Sequence, residues 1–456
     1  MDIYEVAVIG GGPGGYLCAE RTAQGGLKTI LFEDQHMGGT CLNEGCVPTK
    51  ALLQCAKMYR HATESEMFGV KAEGVTIDHA AAVAHKAKVV KTLVSGVEAQ
   101  MRANKIKVVK ARAAVKGKGA EGFMLEANGE EFCARRIVFA TGSSTTVIPV
   151  PGLKEGLASG FVVTNKEILS LEKLPETMVI IGAGVIGIEM ATYYAANGVK
   201  CVIVEMADKI AGAVDRDVSA LLAKKLEKMG VEIKLSAKLT SVGTDRISCE
   251  KDGKNEEILC GCVLLAAGRT PNTKDIGLEK LGVSMNGKAI DTDTHMRTNV
   301  PGVYAIGDCN GKSMLAHTAY RGAEVAANDI LGRKDEINYA SIGSQIFSDP
   351  EVAIVGENVD SAKAKGINAK EVKVPLMYSG RYVAEQLSGE DFIKLIIDKD
   401  KNCIIGAQMI GPYASELISN LIIAVDSQMN IERLKKFLFP HPTVGEIIHE
   451  ALFQIK

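Results

Sequence analysis

The chain has 456 residues, 46% apolar and 24% charged, with a net charge of −2. That length exceeds one typical core and predicts two to four domains, and the near-neutral balance gives no electrostatic basis for binding nucleic acid. No stretch reaches the roughly 18 uninterrupted apolar residues of a membrane span, and the 11 cysteines, odd in number and mostly set in apolar runs, are unlike a secreted disulfide framework.

In chain order, Met1 to Ile9 lacks the basic and long apolar regions of a signal peptide, so a cytoplasmic protein is expected. A strand from Tyr4 to Ile9 leads into Gly10-Gly11-Gly12-Pro13-Gly14-Gly15, a helix over Tyr16 to Gly25, and a strand over Lys28 to Phe32 ending at Glu33. This is a dinucleotide-binding fingerprint in its required context. Gly10 permits the tight turn, Gly12 lets the backbone approach a pyrophosphate, Gly15 allows close helix packing, and Glu33 suits a free ribose hydroxyl.

Next comes Gly38-Gly39-Thr40-Cys41-Leu42-Asn43-Glu44-Gly45-Cys46-Val47-Pro48-Thr49-Lys50. Five residues of ideal helix separate Cα atoms by roughly 8 to 9 Å, whereas a disulfide wants about 4.4 to 6.8 Å, so this segment cannot be regular helix throughout if the two cysteines pair. Gly45 and Pro48 place a helix over about Pro48 to Tyr59 with Cys41 in a distorted lead-in. A helix N-terminus near Cys46 would favour thiolate there. Two buried structural cysteines are the competing reading of the spacing.

Arg136 to Gly142 reads as a short apolar strand ending in a small-residue turn. The fingerprint then recurs: a strand over Met178 to Ile181, Gly182-Ala183-Gly184-Val185-Ile186-Gly187, a helix through Asn197, and a strand over Lys200 to Val204 ending at Glu205. The interval from Gly15 to Glu33 equals that from Gly187 to Glu205, 18 residues. A carboxylate at 205 accepts hydrogen bonds from a free ribose 2′-hydroxyl and repels a 2′-phosphate, which selects NAD over NADP. Cys262 to Arg269 closes the second half as Arg136 to Gly142 closes the first. Val303 to Asp308 is another buried strand, whose Asp308 could bind a ribityl hydroxyl or equally cap the helix near Ala316.

With the paired fingerprints, the cysteine run and Gly307-Asp308 in place, the chain resembles the flavoprotein disulfide reductases, class I pyridine nucleotide-disulfide oxidoreductases. Met314-Leu315-Ala316-His317 and Phe439-Pro440-His441-Pro442-Thr443-Val444-Gly445-Glu446 are similar to segments of the dihydrolipoamide dehydrogenase branch. The resemblance covers essentially the whole chain. It implies an α/β fold with two Rossmann-like domains, one for FAD (1–147) and one for NAD (148–268). A central domain (269–338) would complete the FAD site, followed by an α+β dimerisation domain (339–456).

It further implies tightly bound FAD, NAD as acceptor, a Cys41–Cys46 redox disulfide, and a homodimer in which each site borrows His441 and Glu446 from the partner chain. Cys41 would exchange with a dithiol substrate and Cys46 would face the flavin. His441 would act as the base, oriented by Glu446. Lys50 would sit near the flavin and pair with Glu189. Flavin contacts are also expected from Thr141, Gly142, Met314, Ala316 and His317, and nicotinamide-nucleotide contacts from Gly268. Ala113 stands where many relatives have Gly, so only a backbone contact to FAD is expected there. Phe439 replaces a histidine common in the branch. No metal is expected.

The implied activity is oxidation of dihydrolipoamide carried by lipoyl domains of oxoacid dehydrogenase or glycine cleavage complexes. The alternatives are a reductase of another disulfide or of a metal ion, and a flavin-bearing subunit without catalysis.

Overall fold

The computed structural model describes residues 2–455 and contains two parallel five-stranded sheets built on one plan. The first orders its strands Val303–Ala305, Ile137–Phe139, Val6–Ile9, Thr29–Phe32 and Lys107–Val109. The second orders Val162–Val163, Cys262–Leu265, Thr177–Ile181, Lys200–Val204 and Glu232–Lys234. In both, the strand feeding the glycine loop lies between the strand closing that half and the strand ending in the acid. The central strands are apolar and buried on both faces, as parallel sheets covered by helices require.

The glycine helices run Pro13–Gln24 and Val185–Ala196. The first starts three residues earlier than the sequence pattern predicts, because Pro13 is suited to the first helical turn, where a missing N–H costs nothing. A smaller sheet accompanies each half: a mixed four-stranded one containing Ala113–Lys118 in the first and an antiparallel three-stranded one containing Lys238–Val242 in the second. The C-terminal unit is a five-stranded antiparallel sheet with the helices Ala414–Asp426 and Ile447–Phe453 packed against it.

The cysteine run forms two helices. Cys41 lies in Gly39–Asn43, and a longer helix begins at Cys46 itself and extends to Thr63. The expected Pro48 to Tyr59 span is therefore too short at both ends. Gly45 is the N-cap, so Pro48 falls in the first turn rather than at its start. Leu52, Leu53 and Ala56 of this helix join the core of the second nucleotide half, alongside Ile188, Met190 and Tyr194. The first half is thereby locked to the second through the helix that carries Cys46.

Candidate functional site

Both glycine loops are shaped by close backbone approach. Gly10 has φ +110°, and a Cβ on Gly15 would lie 1.8 Å from the Gly10 carbonyl oxygen. Gly182 has φ +104°, and a Cβ on Gly187 would lie 2.1 Å from the Gly182 oxygen. Only glycine tolerates those contacts. The middle glycines are different: Gly12 would meet nothing nearer than Gly39 Cα at 3.8 Å, and Gly184 nothing within 4 Å. Each leaves open backbone at a helix N-terminus, where the amide dipoles favour an anion.

The two acids repeat as closely. Glu33 accepts hydrogen bonds from the amides of Gly11 (2.7 Å) and Gln35 (2.7 Å). Glu205 accepts from Ala183 (2.7 Å) and Ala207 (2.8 Å). Burial holds the Glu33 carboxyl above its ordinary value. Glycine spacing, an open middle glycine and a fixed terminal carboxylate fit a dinucleotide in each half. A cavity of about 190 Å³ runs beside Gly184 and Val185 to Ile346 and Ile354 of the C-terminal unit.

Cys41 and Cys46 are free thiols, partly buried and hydrogen-bonded to each other. Their proton affinities are driven apart. Hydrogen bonding to Cys41, helped by the Lys50 cation, holds Cys46 below the ordinary thiol range, while the same bond and burial push Cys41 well above it. Cys46 is also the first residue of an 18-residue helix, where the dipole favours thiolate. Most of the remaining thiols are buried, and burial pushes their pKa up and disfavours thiolate, as at Cys18, Cys201 and Cys309.

Lys50 lies one helical turn beyond Cys46. Its Nζ donates to both oxygens of Glu189 at 3.0 Å and sits 4.3 Å from the centre of the Phe347 ring. The Glu189 side chain is only 4% exposed and also accepts from the Phe347 amide at 3.0 Å. The structure thus contains the Lys50–Glu189 pair expected from sequence. Phe347, which completes it, comes from the C-terminal unit and has no sequence signal.

Asp308 sits in a short 3-10 turn and accepts a hydrogen bond from Ser143 Oγ, with Arg269 Nε at 4.0 Å. It does not cap the helix at Ala316, whose N-cap is Leu315 and carries no side-chain cap. That helix-capping alternative is thereby corrected: Asp308 is drawn to the end of the first sheet by the strand before it. Thr141 and Gly142 lie at the turn after Ile137–Phe139; Thr141 Oγ1 donates to the Asn272 carbonyl (2.6 Å), and Asn272 N donates to the Gly142 carbonyl (3.0 Å). Gly268 has φ +103°, and its carbonyl accepts from Thr146 N.

His317 Nε2 is 2.7 Å from the Gly343 carbonyl, which fixes the ring between the central segment and the C-terminal sheet. Met314 is partly buried just ahead of Ala316, the first residue of its helix. Ala113 is buried at the start of its strand, beyond Val109, whose carbonyl accepts the Glu33 amide.

His441 Nδ1 is 2.8 Å from Glu446 Oε2. The imidazole is 79% exposed whereas the carboxylate is 15% exposed, so a partly buried acid orients a histidine presented to solvent. Among the described residues, no hydrogen bond or ion pair joins His441 to either cysteine. Leu438, three residues before it, is 97% exposed.

Residues 4–323 match the family model described as pyridine nucleotide-disulphide oxidoreductase, and residues 342–452 match its dimerisation domain. Among curated proteins, the chain is 38% identical to a dihydrolipoyl dehydrogenase of Geobacillus stearothermophilus, covering 98% of this chain and 95% of the relative. It is 37% identical to those of Bacillus subtilis (98% and 95%) and Chlamydia muridarum (99% and 96%). Among solved structures, LpdA from Mycobacterium tuberculosis superposes with a TM-score of 0.90 at 24% identity, over 99% of this chain and 100% of that one. The HOCl-induced flavoprotein disulfide reductase RclA from Escherichia coli superposes with a TM-score of 0.86 at 24% identity, over 99% and 100%. At that identity the structural matches speak to the fold.

Proposed function

Because the chain belongs to the pyridine nucleotide-disulphide oxidoreductases, we propose that it is a dihydrolipoamide dehydrogenase, oxidising protein-bound dihydrolipoamide with NAD as the final acceptor. The observation that carries this reading is the thiol pair of opposed proton affinity, joined to the Lys50–Glu189 pair and set between two dinucleotide folds. A tightly held FAD in the first half supplies two-electron transfer between the cysteine pair and NAD. Every other task falls to the chain.

With the cysteines oxidised, a substrate thiolate attacks Cys41 sulfur, and the Cys41–Cys46 bond breaks to leave Cys46 as thiolate. The second substrate thiol then displaces Cys41 from the mixed disulfide, so lipoamide leaves with its own S–S bond and both enzyme cysteines are reduced. Each attack needs a thiolate, and the partner subunit's His441 accepts the proton while its acid holds the other ring nitrogen. Low proton affinity makes Cys46 the good leaving group and the sulfur that stays as thiolate, the one that would stand toward a bound flavin. High proton affinity at Cys41 keeps a proton shared between the two sulfurs after reduction.

Lys50 supplies positive charge beside that thiolate, and Glu189 fixes the lysine at the boundary of the two halves. Glu205 excludes a 2′-phosphate from the acceptor site. A homodimer accounts for the exposed His441 and Leu438 and agrees with the dimerisation-domain match.

Anaerobic titration of the purified protein with NADH, followed by assay of dihydrolipoamide-dependent NAD reduction, tests the reading. The expected result is a long-wavelength thiolate–flavin band after uptake of two electrons, with turnover that favours NAD over NADP. A flavin that bleaches without the band, or a preference for NADPH, would overturn it.

A further inference from the structure

The two cysteine helices meet at Glu44-Gly45, and this junction is gripped by a segment more than a hundred residues away. Glu44 is the C-cap of the Cys41 helix and Gly45 the N-cap of the Cys46 helix. Helix ends leave carbonyls without intrahelical partners. Here the Glu44 carbonyl accepts from Asn165 Nδ2 at 2.7 Å, and the Glu44 carboxylate pairs with Lys166 Nζ at 2.8 Å.

Asn165 cannot turn its amide over. Its Oδ1 accepts from Thr145 Oγ1 (2.7 Å) and Arg269 Nη1 (3.3 Å), and a flipped amide would set N–H against two donors. Arg269 is itself immobilised: Nε donates to Ser143 Oγ at 2.7 Å and Nη2 to the Ser143 carbonyl at 2.6 Å. Ser143 Oγ donates onward to Asp308. The Arg269 side chain is only 16% exposed, with the Asp308 carboxylate 4.0 Å from Nε and its hydrogen bonds going to Ser143 and Asn165.

We propose that Asn165, oriented by Arg269 and Thr145, is a positioning residue for the cysteine pair. It anchors the peptide between Cys41 and Cys46 and ties their spacing to the Asp308–Ser143–Arg269 network. The inference rests on the redox reading of the two cysteines. A junction free to drift would let the two helices separate whenever the S–S bond opens; an anchored junction keeps the sulfurs in hydrogen-bonding range and keeps Cys46 at its helix N-terminus. Lys166, itself 54% exposed, holds the Glu44 side chain and not the main-chain carbonyl, and should not matter to the sulfurs.

The test compares the parent flavoprotein with Asn165→Ala, Asn165→Asp, Arg269→Lys and Lys166→Ala. Asn165→Asp keeps the acceptor for Arg269 and Thr145 but cannot donate to the Glu44 carbonyl. The readouts are the thiolate–flavin band on NADH titration and the pH profile of iodoacetamide alkylation of the reduced protein. Asn165→Ala, Asn165→Asp and Arg269→Lys are expected to lose at least about half of the band amplitude and to move the alkylation profile to higher pH, each with flavin retained. Lys166→Ala should match the parent. An Asn165→Asp protein with the parent's band and alkylation profile would overturn the proposal. So would loss of flavin from Asn165→Asp, which would make the residue part of flavin retention and not of cysteine positioning. If the parent itself shows no band, the redox reading fails first, and that failure is separate.

Discussion

The two nucleotide halves share their glycine contacts, terminal acids and strand plan, yet they differ in what closes over the loop. In the first half, Gly39 (φ +56°) butts against Gly12, where a Cβ would come within 2.6 Å of the Gly12 Cα, and the Gly38 amide donates to the Gly11 carbonyl. Its edge strand, Val303–Ala305, returns after the whole second half and delivers Asp308. In the second half nothing lies within 4 Å of a Gly184 Cβ, and the edge strand comes from the local residues Val162–Val163. The first glycine loop is therefore approached by the neighbouring cysteine segment and its sheet is edged by a strand from residues 303–305, whereas the second stays open beside a cavity; the difference suits a resident flavin in the first and an exchanging nucleotide in the second. The same local motif is given two surroundings by what the rest of the chain packs around it.

The sharpest way to break this comparison is to add side chains to it. Gly15→Val drives a branched side chain into the Gly10 carbonyl and should abolish folded flavoprotein, measured as soluble yield and flavin absorbance; overpacking alone costs about 1–3 kcal/mol where neighbours can yield, and here the neighbour is backbone. Gly184→Ala should retain flavin and raise KM for NADH, with about tenfold as the expected size. If Gly184→Ala also sheds flavin, the two loops do not differ as described.

Lys50→Met comes next. It leaves the Glu189 carboxylate buried with the Phe347 amide as its remaining hydrogen-bond donor, which should destabilise by about 3–5 kcal/mol in denaturant unfolding. It also removes a cation that holds Cys46 below the ordinary thiol range. The sign is fixed: losing positive charge disfavours thiolate, so Cys46 ionisation in the reduced protein should move to higher pH, toward the ordinary thiol pKa of about 8.5. An unmoved alkylation profile would show that the cation does not act on this sulfur.

Glu205→Arg should narrow the preference for NADH over NADPH at least about tenfold, roughly 1.4 kcal/mol in relative transition-state binding, without loss of flavin. Steady-state kinetics with both nucleotides measure it, and a ratio that does not move would remove Glu205 as the selector. The smallest effect is expected from Thr141→Val, which removes one hydrogen bond to the Asn272 carbonyl and should cost about 1 kcal/mol in unfolding while leaving nucleotide preference alone.

Much of the site was legible because its parts are local. A glycine loop, the helix it opens and the acid at the next strand end lie within one short stretch, and their spacing follows from backbone geometry alone. The cysteine segment was legible in part: its irregularity followed from spacing, but Gly45 as N-cap set the helix start at Cys46, and sequence placed it two residues late. Asp308 was ambiguous between two roles because capping and strand-end positions read alike until Ser143 is seen beside it. Phe347, Asn165 and Arg269 carried no role in the sequence reading, since a single hydrogen bond to a main-chain carbonyl requires no motif.

By itself, the sequence determined two dinucleotide-binding motifs in matching register, a cysteine pair that one regular helix cannot span, and a carboxylate at the end of each second strand. Only the tertiary structure decided what packs around each glycine loop, which cation stands beside Cys46, and what holds the peptide between the cysteines. The reason is physical. Backbone conformation and hydrophobic period act over neighbouring residues, whereas enclosure, desolvation and charge pairing depend on segments such as 164–167, 269–271 and 344–347 that meet the cysteines only once the chain is packed.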